Sequence, residues 1–181
     1  MSNIIREGTN DLHDKLEALP FNQKMFQGKL TSEERFMYLN VHREIFSVLD
    51  NYVPQQLRRV SNIEQDLNTF TPMRLPDICP SSVYEYAGYL EFADYMPTKI
   101  NINAHIYLNY MGVMFGGQIM AKQYPLSSRI YQFEDLLEGR AYIREKVCVD
   151  TNDFIGEVRE GFNWHIEIAT ALGKLFKITD F

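Results

Sequence analysis

Cysteine is scarce in this chain. Only Cys79 and Cys148 are present, with no CxxC pair and no metal-ligand spacing. That excludes a disulfide framework and a cysteine-based metal centre, and both residues read as free thiols of a reducing compartment. Positive charge is also in deficit: 18 Lys and Arg against 24 Asp and Glu leave a net charge of −6, without the basic face that a general nucleic-acid surface needs. No apolar run reaches the roughly 18 residues of a membrane helix. Met1–Ile5 is too short and too polar for a secretory signal, so the expectation is a cytoplasmic protein with no membrane segment. Long alternating apolar–polar runs, internal repeats, low-complexity tracts and linkers are missing as well.

What is present is helical periodicity. The chain is 45% hydrophobic over 181 residues, enough for one real core. Apolar residues recur at three- and four-residue spacing, which predicts helices near 3–18, 32–50, 54–67, 82–95, 99–123, 127–136, 139–148 and 153–178. Thr31 with Glu34, and Ser82 with Glu85, have capping-box spacing. The segment 69–82, with its three prolines, reads as the one long loop. The fold class is all-α, a single domain over residues 1–181.

Glycine is concentrated where a helix should least want it. "GVMFGGQIM" at 112–120 puts Gly112, Gly116 and Gly117 within six residues of the most apolar helix, at roughly 1 kcal/mol each relative to alanine. Gly112 and Gly116 are four apart and share a face. Two physical readings stay open on spacing: a close helix crossing, or a flat ligand lying on bare backbone. A ligand needs a partner group, and "REGTNDLHDKLE" (6–17) offers His13, on the face of Thr9, Leu12 and Leu16, with Glu17 four residues on. A neutral imidazole can bind a metal through one nitrogen while the other donates to a carboxylate.

Together, "RE-x-T-x-x-LH-x-x-x-E" near the N-terminus and "Y-x-x-Y-x-G-x-x-x-GGQ" about a hundred residues later resemble the heme oxygenase family. The likeness runs from Arg6 through "FQGKLTSEERFMYL" (26–39) to "HIYLNYMGVMFGGQIMAK" (105–122), and more loosely into the last helix. It implies an all-α, heme oxygenase-like helical bundle in which heme b, both cofactor and substrate, lies between the first helix and a kinked glycine-rich helix. It implies His13 as iron ligand, Glu17 as its hydrogen-bonding neighbour, and Gly112, Gly116 and Gly117 as the distal backbone. Tyr107 matches a tyrosine at the heme edge. Arg6, with Arg140 and Arg144 four apart in "GRAYIRE", would meet the propionates. Thr9, Phe162 and His165 would face the heme. His42 and His105 read as structural.

The implied reaction opens heme to biliverdin, carbon monoxide and iron with O2 and electrons from ferredoxin or a reductase; Arg58, Arg59 and Lys122 are candidates for the donor's docking patch. The expected state is a monomer. The chain departs from the family pattern at Val113, where an aspartate usually anchors the proton-delivering water, and at Phe115, where a serine is usual. Water would then be held by backbone near Gly112 or Gly116, by Tyr107 or Tyr110, or by His165. The departures keep a second reading alive: a heme-binding pseudoenzyme, carrier or sensor, without ring opening. A di-iron oxidase is disfavoured because Glu-x-x-His occurs nowhere. A thiamin-cleaving enzyme of similar shape is disfavoured because neither cysteine sits in an activating motif.

Overall fold

The computed structural model describes residues 3–70 and 78–179. Among them are eight α-helices and no strand: α1 Asn3–Glu17, α2 Pro20–Phe26, α3 Ser32–Leu49, α4 Val60–Leu67, α5 Ser81–Glu91, α6 Ile102–Gln123, α7 Leu136–Tyr142 and α8 Asn152–Leu175. The Thr31 capping box forms as its spacing predicts. Thr31 accepts from the Glu34 backbone, and the Glu34 carboxylate accepts from the Thr31 N–H at 2.8 Å. Thr151 caps α8 in the same way, through the Phe154 N–H. No helix among the described residues is long and apolar enough to cross a membrane.

α6 is apolar on nearly every side, as a helix surrounded by others must be. Ala104, His105, Tyr110 and Met114 are wholly buried. It packs on α8, α2, α7 and the 3-10 turn Arg129–Tyr131, and its glycines leave it unbroken from end to end. α1 and α2 lie on α8, while α3 packs on α4 and α5. Arg159 of α8 fixes α1 in place by donating to the Gly8 carbonyl at 2.7 Å and to both Asp11 oxygens at 2.6 and 2.8 Å. α8 therefore carries both α1 and α6, and the space between those two is where the functional side chains converge.

The structure corrects the sequence reading where distant side chains decide local backbone. The helix expected from residue 54 starts only at Val60, because the buried Asp50 carboxylate accepts from the Arg59 and Val60 N–H groups and sets the start ten residues downstream. The helix expected over 127–136 is instead two 3-10 turns, Pro125–Ser127 and Arg129–Tyr131. Asp66, wholly buried, takes the Arg129 and Ile130 N–H groups. Asp135 then caps α7, which runs into a π-helical turn at Ile143–Val147. The box expected at Ser82 and Glu85 does not form; α5 begins one residue earlier behind Pro80, and the Ser82 hydroxyl is buried without a partner among the described residues. Pro20 opens α2, an extra short helix that the periodicity did not isolate. The middle of the expected loop, 71–77, lies outside the described residues.

Candidate functional site

α1 and α6 face each other across a cavity of about 570 Å³, closed from behind by α3 and α8. That is the size range of small-molecule and cofactor sites. On the α1 wall, Ile5, Thr9, His13 and Leu16 follow one another at helical spacing. Thr9 is buried and spends its hydroxyl on the Ile5 carbonyl at 2.8 Å, so it shapes the wall rather than offering a donor. The His13 side chain keeps 45% of its surface open. Its ring stands edge-on to Phe162 of α8, centroids 6.0 Å apart, and Glu17 lies 3.6 Å away on the next turn. Arg6 lines the rim and is exposed.

Opposite, the three glycines divide between the two readings their spacing left open. A Cβ on Gly112 or Gly116 would meet nothing within 4 Å, and both line the cavity. A Cβ on Gly117 would lie 3.0 Å from Cγ of Tyr131, too close to stand. Gly117 is bare so that the Arg129–Tyr131 turn can pack; Gly112 and Gly116 are bare toward empty space that a flat ligand would fill. The expected outcome is a split in sign. Gly112→Ala and Gly116→Ala should each stabilise the ligand-free protein by up to about 1 kcal/mol, and Gly117→Ala should destabilise it by about 1–3 kcal/mol. Urea denaturation of the three variants checks this, and a uniform loss of stability would contradict it.

The sequence profile described as heme oxygenase matches residues 1–163. The chain belongs to the heme oxygenase family. Heme oxygenase 1 of Gallus gallus is 24% identical over 209 residues, covering 97% of this chain and 70% of that protein. Heme oxygenase 2 of Macaca fascicularis is 24% identical over 140 residues, covering 67% of this chain and only 43% of that one. Heme oxygenase-1 of the cyanobacterium Synechocystis, solved in complex with heme, superposes with a TM-score of 0.79 at 18% identity, over 96% of this chain and 92% of that one. Heme oxygenase of Leptospira interrogans gives 0.78 at 19% identity, over 94% and 100%. The all-α fold is therefore the heme oxygenase fold.

Against the family pattern, the departures sit where they matter. Val113 is buried at the cavity wall, and Phe115 lines the cavity with 42% of its surface exposed. Arg140 and Arg144, expected at the propionates, do not line the cavity. Arg140 donates to the Met114 carbonyl and lies over the Phe115 ring at 3.9 Å, with Arg144 over the same ring at 5.7 Å. Both guanidinium groups thus stack on Phe115, which itself lines the cavity. The Tyr107 ring lines the cavity, while its hydroxyl is buried and has no partner among the described residues. Burial raises its pKa, Cys148 adds to the shift, and Arg144 opposes it. Arg59, a docking candidate, is buried and donates to the Leu57 and Gln132 carbonyls, so it is not a surface group.

The inner wall is more polar than the sequence reading allowed. His42 and Tyr38 of α3, Asn109 of α6 and Tyr131 all line it beside His165. Behind them Arg35 is 2% exposed and, among the described residues, donates only to neutral partners: Ser127 Oγ at 3.1 Å, the Ser127 carbonyl and the Tyr131 hydroxyl at 3.0 Å. Tyr38, Tyr124 and Tyr131 ring it. Burial pulls the His42 pKa down to about 4, with the Arg35 charge adding to the shift and the Tyr38 carbonyl opposing it. Burial, then His42 and His105, pull His165 down to about 3. The signal in the sequence was four-residue spacing of polar groups on apolar helices: Tyr38–His42, and His105–Asn109.

These depressed values carry a sign. Both rings are neutral in the fold, while in the unfolded chain they take up protons below about pH 6.5. Their contribution is intact above pH 6.5 and is lost as pH falls toward about 4, costing a few kcal/mol in total. Cavity water reaching the rings keeps the loss below that of a sealed core. Urea midpoints at pH 7, 5.5 and 4.5 should fall steeply for the native sequence and less for His42→Leu; parallel slopes would contradict the assignment.

Proposed function

We propose that this chain is an enzyme that opens heme to biliverdin, carbon monoxide and iron, using O2 and electrons from ferredoxin or a reductase. The observation that carries the reading is the pairing of His13, half-open on one wall, with the bare backbone of Gly112 and Gly116 on the other. A porphyrin is flat and large, and this slot has a nitrogen donor on one side and the bare backbone of two glycines on the other. When bound, heme supplies the oxygen chemistry directed at its own ring; the protein supplies orientation, access and protons.

The chain's own residues divide those tasks. One His13 nitrogen would hold the iron, and Glu17, 3.6 Å from the ring on the next turn, would be the neighbouring carboxylate that orients the imidazole. Phe162 limits ring rotation by its edge contact with His13. Gly112 and Gly116 keep the oxygen side open. Arg6 at the rim would meet a propionate, while Arg140 and Arg144, stacked on Phe115, would approach that edge from behind its ring. The reading takes the protein as a single-domain cytoplasmic monomer. The second reading, a heme-binding protein without turnover, draws its support from Val113 and Phe115, neither of which can hold water. The discriminating experiment mixes purified protein with hemin, adds reductant and oxygen, and follows the absorption spectrum. Biliverdin with carbon monoxide is expected; stable heme binding with neither product under every donor tried would leave the second reading.

A further inference from the structure

His42 and His165 approach the cavity from different helices, and hydrogen-bond logic fixes which nitrogen of each ring carries its proton. His42 Nδ1 lies 2.9 Å from the Tyr38 carbonyl. A carbonyl only accepts, so Nδ1 donates, and the neutral ring keeps a lone pair on Nε2. For His165 the argument runs through Asn109. The Asn109 amide nitrogen is 2.9 Å from the His105 carbonyl and 3.2 Å from the Tyr86 hydroxyl. That orients the amide and leaves its oxygen, 3.0 Å away, to accept from His165 Nε2. His165 therefore keeps its lone pair on Nδ1.

The chain continues outward in one direction. The Tyr86 proton goes to His105 Nδ1 at 2.9 Å, and His105 Nε2 donates to Glu157 at 2.8 Å, where Tyr89 donates as well at 2.7 Å. Every donor from His165 to Glu157 thus faces away from the cavity. Neither His42 Nε2 nor His165 Nδ1 has a partner among the described residues. Neither is among the sealed unpartnered polar atoms, which are Ser82 Oγ, Tyr107 Oη, Arg140 Nε and Trp164 Nε1. Both lone pairs therefore open onto the cavity that their rings line.

We propose that His42 Nε2 and His165 Nδ1 form a paired hydrogen-bond acceptor for a water or other protic molecule on the glycine side of the cavity, and that Asn109, Tyr86, His105 and Glu157 are positioning residues that hold His165 in its accepting tautomer. This deepens the heme-degrading reading and rests on it. Two neutral lone pairs accept a water's two hydrogens without adding negative charge to the cavity. They supply the acceptors that a carboxylate would give, at a place where Val113 offers none. Burial disfavours protonation of both rings, with the Arg35 charge adding to it at His42 and the neighbouring His42 and His105 at His165, so the pair stays accepting at neutral pH.

Two measurements test this. In the ligand-free protein, 15N NMR of the imidazoles should find His42 unprotonated at Nε2 and His165 unprotonated at Nδ1, and Asn109→Leu should turn His165 into a mixture of tautomers. A proton on His165 Nδ1 in the native sequence overturns the proposal without any heme. In the ferric heme complex, the pH at which the acidic spectrum gives way to the alkaline one should fall in His42→Leu and in His165→Leu by about half to one pH unit, the size of one lost hydrogen bond. A complex whose transition moves in neither variant overturns the paired acceptor. Failure to form a His13-dependent complex at all would instead overturn the heme reading and leave the NMR result to stand alone.

Discussion

His13→Ala protein loses the absorption spectrum of a histidine-ligated ferric heme and regains it when imidazole is added. The expectation follows from where the ring sits and from what supports it. His13 is the only cavity-lining histidine on α1, and it faces the bare backbone of α6. Its side chain is 45% exposed and makes no close hydrogen bond: Glu17 is 3.6 Å from one nitrogen and Asp14 is 4.0 Å from the other. Truncation should therefore leave the ligand-free fold within about 0.5 kcal/mol of native, as for other partly exposed sites. The loss should fall on the ligand, and the space left by the ring, edged by Phe162, should take up free imidazole. The competing donors are His42 Nε2 and His165 Nδ1, both open to the cavity. If the native spectrum persists in His13→Ala and disappears in His165→Leu, the axial nitrogen comes from α8 and the orientation of the ligand is reversed.

Most of this arrangement could be read from local pattern. The Thr31–Glu34 box, the register of α1 that puts Thr9, His13 and Leu16 on one face, and the apolar length of α6 are properties of neighbouring residues, and the structure keeps them. What could not be read depends on groups distant in sequence. Asp50 and Asp66 start or interrupt helices by accepting N–H groups from residues about 10 and 63 positions away. Spacing could not separate Gly117 from Gly112 and Gly116, because the difference is one ring of Tyr131. Arg140 and Arg144 are four apart as expected, yet both lie on the ring of Phe115, itself a departure from the family pattern, and neither lines the cavity. His42 looked structural because no second feature in the sequence marked it as a site residue; only the cavity shows that its Nε2 is open while Tyr38 takes its Nδ1.

Val113→Asp has different consequences in two backgrounds, and the difference reports what supplies hydrogen-bond acceptors in this cavity. Val113 is 4% exposed at the cavity wall, so an introduced carboxylate is largely shielded from bulk solvent. Burying it without a donor is costly. The nearest candidates do not help: Asn109 Nδ2 is committed to Tyr86 and the His105 carbonyl, and His165 presents a lone pair. In the native background the new carboxylate therefore either takes a proton itself or draws one onto His165. Either way it replaces acceptors already present, and the yield of biliverdin per turnover with ferredoxin should change less than about twofold. In His165→Leu only the His42 half of the pair remains and the yield should drop by tenfold or more, a part of what positioned proton-transfer groups contribute. Adding Val113→Asp to that background should restore most of it, since the carboxylate then has cavity water to hold and no His165 lone pair opposing it. Single-turnover spectroscopy of the four proteins, with heme binding measured on each, decides the matter. A large gain from Val113→Asp alone would mean that the native imidazoles do not serve as acceptors. Tight heme binding with no biliverdin or carbon monoxide from the native protein under any donor would mean that the fold has been kept for binding heme rather than opening it.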